Sequence, residues 1–167
     1  VLQCHHNPNL SSTTTNGSLF PFLASSKATL EILEVSHNPK LGISGTIDLS
    51  GFDKLQTVNF ELCKLEEIPC IPHSVKMLNL RTNKLKSMKG LFSNASSSQL
   101  VDLFLDDNYL TDLDPLVIET MVNLKRLNFF SNKIRTLPYQ LGFLSEIVFL
   151  NISGNPVFTR FSSVANN

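Results

Sequence analysis

The chain has 167 residues, 42% of them hydrophobic, enough for one ordinary domain with a buried core. Fourteen basic and fourteen acidic side chains cancel to zero net charge, which removes the electrostatic drive for non-specific nucleic-acid binding and for a polybasic membrane patch. No run of about 18 apolar residues is present to span a bilayer as a helix.

Taken in chain order, the opening segment Val1-Leu2-Gln3-Cys4 has no initiator Met and no basic-then-apolar leader. Its pattern becomes legible against the segment that follows. Leu30-Glu31-Ile32-Leu33-Glu34-Val35-Ser36-His37-Asn38 places apolar residues at positions one, four and six and Asn at nine. Leu2, Cys4 and Asn7 match Leu33, Val35 and Asn38, so residues 1–29 are expected to form a partial first repeat. The stretch Ser11-Ser12-Thr13-Thr14-Thr15-Asn16-Gly17-Ser18 reads as a polar insertion in it, re-anchored by Leu19, Phe20, Phe22 and Leu23. The same register recurs as Leu55/Val58/Phe60/Cys63, Val75/Leu78/Leu80/Asn83 and Leu100/Leu103/Leu105/Asn108. It continues as Leu124/Leu127/Phe129/Asn132 and Ile147/Leu150/Ile152/Asn155. Six repeats over 30–157 therefore start at 30, 55, 75, 100, 124 and 147, leaving 158–167 as a tail or partial cap.

The connecting segments differ from one another. Ile68-Pro69-Cys70-Ile71-Pro72 closes the shortest repeat, and its prolines favour extended chain over helix. A shorter polar insertion covers Ser93-Asn94-Ala95-Ser96-Ser97-Ser98. The segment from Pro115 to Val122, with Pro at its start, is the best candidate for a short helix. Phe52, Met121 and Leu144, each three residues ahead of a repeat start, are expected to plug the core from behind. In every repeat the apolar residues at positions four and six alternate as a strand does, facing one side. Such a strand buries that face only by stacking on its neighbours.

These registered copies resemble the leucine-rich repeat family, whose consensus is L-x-x-L-x-L-x-x-N/C-x-L, over roughly residues 2 to 157. The resemblance implies an α/β repeat solenoid: a curved horseshoe with a parallel concave sheet of short strands and an irregular or short-helical convex side. Leu137-Pro138-Tyr139-Gln140-Leu141-Gly142-Phe143-Leu144 resembles the L-P-x-x-L-G-x-L connector common in intracellular members. The prolines near 70 look more like short repeats of bacterial effectors and some extracellular receptors, so no subfamily is assigned.

Position nine gives a structural ladder of Asn38, Cys63, Asn83, Asn108, Asn132 and Asn155, where a side-chain amide can bond the backbone leaving each strand. The period also sorts the concave surface into columns. Position three gives Ile32, Thr57, Met77, Asp102, Arg126 and Phe149; position five gives Glu34, Asn59, Asn79, Phe104, Asn128 and Asn151. Position seven gives Ser36, Glu61, Arg81, Asp106, Phe130 and Ser153. The candidate partner-binding set is Phe104, Phe130, Arg126, Asp106, Arg81, Glu61, Met77, Asn79, Asn128 and Phe149, since water-facing aromatics flanked by charge compose an interaction patch. The bland alternative for the aromatics is packing under loops or against a following repeat. Glu61, Arg81 and Asp106 alternate in sign and could simply pair with one another.

Signals for chemistry are weak. Cys4-His5-His6 and the set Cys63, Cys70 and His73 invite a metal reading, but each falls on separate faces of the repeat. Neither Asp106-Asp107 nor Glu66-Glu67 offers a reason for a raised carboxylate pKa, and no phosphate loop or H-E-x-x-H motif occurs. No cofactor, metal or catalytic residue is expected. Sequons at Asn9, Asn16, Asn94 and Asn151 are about as many as the composition supplies, and three cysteines are too few for a disulfide framework. The expected function is a non-catalytic protein-binding module acting through its concave face, as an intracellular scaffold or regulatory segment. The alternative is an extracellular receptor or adhesion segment recognising a peptide or glycan. An enzyme would need catalytic parts outside these residues. Neither end shows a polar cap, so the isolated chain is expected to be either marginally soluble or part of a larger polypeptide or assembly.

Overall fold

A computed structural model describes residues 1–7, 21–43, 47–91 and 98–158. Seven parallel strands lie side by side in chain order: β1 (Leu2–Gln3), β2 (Ile32–Glu34), β3 (Thr57–Asn59), β4 (Met77–Asn79), β5 (Asp102–Phe104), β6 (Arg126–Asn128) and β7 (Phe149–Asn151). The pairing sets Leu2, Leu33, Val58, Leu78, Leu103, Leu127 and Leu150 in one row, the register expected from the repeat. Each repeat runs up through the sheet and returns behind it, so all strands share one direction and a leucine-rich repeat solenoid with little helix results.

The core lies behind the sheet. From β2 to β6 every position-four and position-six residue is buried, with Phe60 and Phe129 the largest fully enclosed side chains. Phe52, Met121 and Leu144 close it from the convex side. Leu23 is buried as an anchor; Leu19 and Phe20, the side chain of Phe22, and the two polar insertions up to Ser97 lie outside the described residues.

Local chemistry accounts for the convex segments. Asp114 accepts the Leu116 N–H at 2.9 Å and Pro115 occupies the first turn, giving the one α-helix among the described residues, α1 (Pro115–Glu119). The Pro138 segment forms a 3-10 turn over Tyr139–Phe143 that packs against α1. Around Pro69 and Pro72 the chain stays extended and Cys70 forms a parallel bridge to Asp48.

Position nine ties the repeats together. Asn108 Nδ2 donates to the carbonyls of Leu105 and Asp106 in its own repeat and of Leu80 in the one before, while its Oδ1 accepts the Leu85 N–H. Asn83, Asn132 and Asn155 repeat this arrangement. Asn38 bonds Val35, Ser36 and Cys4 in the same way. Cys63 has only a thiol, which donates to the Val35 carbonyl at 3.1 Å. Burial pushes that thiol up to about 11, keeping it a donor.

Candidate functional site

The concave face is built from positions three, five and seven of each repeat, which point away from the core. Position five has a structural use not apparent from the sequence pattern. Asn59, Asn79, Asn128 and Asn151 each turn Oδ1 onto the N–H two residues ahead, at 3.0 to 3.1 Å. These bonds close the chain as it leaves the strand, a local side-chain-to-backbone turn. Glu34 and Phe104 occupy the same column without that bond: Glu34 accepts from Gln3 Nε2 at 2.7 Å, and Phe104 has no side-chain acceptor.

Phe104 is instead half-buried between two guanidinium groups. Arg81 Cζ lies 6.0 Å and Arg126 Cζ 5.8 Å from its ring centroid, within reach of cation–π attraction. Both cations are held by carboxylates: Arg81 Nε donates to Asp106 Oδ2 at 2.7 Å, and Arg126 donates twice to Asp102, at 2.5 and 2.7 Å. The bidentate contact raises the Arg126 pKa, chiefly through its hydrogen bonds to Asp102. The arginine side chains remain 45% and 56% exposed, while their acids are 3% and 13% exposed. The acids therefore act as supports beneath an outward-facing layer of two cations and a ring.

The remaining candidates divide by depth. Asp106 and Asn128 are buried and bonded to each other, Asn128 Nδ2 to Asp106 Oδ1 at 2.9 Å. Met77 and Asn79 are half-buried. The expected sign-alternating ladder forms only in part: Arg81 pairs with Asp106, whereas Glu61 accepts from Asn79 Nδ2 at 3.3 Å. Phe130 and Phe149 are 41% and 46% exposed. They stand at opposite ends of neighbouring strands, so they border the Phe104 cluster separately and do not form one aromatic stack. Asp102, absent from the candidate set, turns out to anchor Arg126, its register partner on the next strand.

Elsewhere, His5 contacts Ser36 and Glu34. Cys4, Cys63 and Cys70 are free thiols. Among the described residues no cluster of three or more His, Cys, Asp or Glu is placed to hold a metal ion, and no helix is long and apolar enough to cross a membrane.

Residues 98–157 match the family model described as leucine rich repeat. Keratocan of Bos taurus is 33% identical over 109 residues, covering 62% of this chain and 30% of that protein. Keratocan of Mus musculus is 32% identical over the same length and coverage. The match thus spans about 30% of the length of these curated relatives. A solved leucine-rich repeat protein of Leptospira interrogans aligns with TM-score 0.47 and 20% identity, covering 76% of this chain and 44% of that one. Registered repeats and a parallel sheet stacked in chain order, with the family match over residues 98–157, give this chain a leucine-rich repeat fold.

Proposed function

We propose that this chain is a non-catalytic scaffold or regulatory module that binds a protein partner on its concave face, centred on Phe104. The leucine-rich repeat match over residues 98–157 supports a protein-interaction module in general. The observation that carries the location is Phe104 in the position-five column of the six repeats, where Glu34, bonded by Gln3, is the other residue that is not Asn. Four Asn side chains in that column each close a turn, and Phe104 gives up that bond for a half-exposed ring between two held arginines. A residue that sacrifices a local hydrogen bond without being buried in the core has a use outside folding. Arg and aromatic side chains are also the types that dominate binding hot spots. Arg81, Arg126, Phe130 and Phe149 supply the surrounding contacts, and Asp102, Asp106 and Asn128 hold the arginines and the turn in place.

The test separates binding from folding. Partners are captured with the intact chain, identified by mass spectrometry, and titrated against wild type, Phe104→Ala and Phe104→Asn. Both variants are expected to lose about tenfold or more in affinity. Phe104→Asn is expected to keep full stability, because Asn restores the turn bond to the Asp106 N–H. Wild-type affinity in Phe104→Asn would refute the location.

A further inference from the structure

A groove runs along the loop edge of the solenoid, where the chain turns after each of the first four strands. His6, His37, Leu62 and Thr82, one from each consecutive turn, line it together with Pro39 and Lys64, around a volume of about 440 Å³. That size suits a small molecule. The His6 and His37 rings lie with centroids 4.2 Å apart and tilted by 33°, and Leu62 follows them in the same row. One wall of the groove is thus a continuous run of rings and aliphatic carbon.

Two features indicate what fits it. The first is charge. Turns 37–40, 62–64 and 82–84, which form the groove, contain Lys40, Lys64 and Lys84 and no Asp or Glu. The bordering acids are already engaged: Glu61 accepts from Asn79, Glu66 from Lys84 at 3.3 Å, and Asp106 from Arg81 and Asn128. Asp107 opens the next turn, beyond Thr82. Lys64 makes no ion pair with any described acid.

The second feature is conformation. Lys64 has φ 57°, and it alone among the described residues at position ten is left-handed. The Gly42 N–H donates to the Cys63 carbonyl at 3.0 Å and holds the backbone there, so the exposed Lys64 stands on a fixed turn at the rim of the groove. Strain held in place beside a groove is a mark of a ligand clamp. The ammonium offers donors only, and a carboxylate is the acceptor that meets them most strongly.

We infer that this groove binds a small aromatic carboxylate, its ring laid along His37 and Leu62 and its carboxylate on the Lys64 ammonium. The site is separate from the concave patch around Phe104 and does not depend on it.

Titration of the full chain with naphthoate, naphthamide and cyclohexanecarboxylate, read by NMR shifts of His6, His37 and Leu62, tests the inference. Naphthoate is expected to bind with a Kd of about 1 mM or below, and about tenfold tighter than either analogue. Lys64→Gln should bring naphthoate down to the level of the amide, Lys64→Arg should keep most of the affinity, and Phe104→Ala should leave it unchanged. Equal affinity for naphthoate and naphthamide, unaltered binding by Lys64→Gln, or shifts confined to another face would overturn the proposal. Contacts of His37 and Leu62 with residues 8–20 that naphthoate does not displace would also overturn it, by assigning the groove to the chain's own segment.

Discussion

The Gly42 N–H donates to the Cys63 carbonyl at 3.0 Å, and a Cβ on Gly42 would lie 2.1 Å from the Lys64 carbonyl oxygen. In neighbouring repeats an Asn side chain supplies the acceptor at this level: Asn83 serves Leu65 and Asn108 serves Leu85. Cys63 has no such oxygen, so two backbones approach closely to replace it, and only Gly permits that approach. Gly42→Ala is expected to cost about 2 to 3 kcal/mol in urea unfolding. A change near zero would show that the two repeats are held apart without this contact.

The Cys63 thiol gives a pH signature. Burial raises it from its ordinary value of 9.0 to about 11. The native state thus holds the proton more tightly than the unfolded chain, and the contribution is fully present below pH 9 and lost as pH rises towards 11. The loss amounts to roughly 2 to 3 kcal/mol. Stability curves of wild type and Cys63→Ser should diverge across that window. Parallel curves would contradict the buried-thiol assignment.

Position eight carries backbone strain throughout the solenoid. His6, His37, Leu62, Thr82, Asp107, Ser131 and Gly154 all have φ between 52° and 71°, and only one of them is Gly. The N–H groups of the first six donate to the position-seven carbonyls of the next repeat, which fixes this turn. A β-branched side chain suits it least. Thr82 is exposed, so Thr82→Gly should raise stability by about 0.5 to 1 kcal/mol, measured by thermal or urea unfolding. A loss of stability would mean that the Thr side chain contributes packing beyond its exposure.

Asn108 satisfies three carbonyls and one N–H. Asn108→Ala is expected to cost about 2 to 4 kcal/mol, since these groups lie in the buried interior. Equilibrium unfolding checks this, and a cost under about 0.5 kcal/mol would demote the ladder to a minor contribution.

The solenoid was legible in the sequence because inward-facing residues obey a fixed spacing that stacking requires. Leu33, Leu78 and Leu127 occupy their rows for that reason alone. The ladder was legible too, since one residue type recurs in one slot. The site was legible only as columns. Which carboxylate holds which arginine depends on side-chain reach across neighbouring strands, so the column pattern does not single out Asp102 as the Arg126 anchor or show that Glu61 takes Asn79. The turn-closing Asn column was visible in the repeats, yet its meaning needed the Oδ1 geometry that sets Phe104 apart. The left-handed column was hidden because its side chains share no chemistry, only a backbone conformation.

Hydroxyl-radical footprinting of the chain with its captured partner tests the concave assignment most directly. Labelling at Phe104, Phe130 and Phe149 should fall several-fold on complex formation and recover with Phe104→Asn. Unchanged labelling at all three rings in a saturated complex would contradict it.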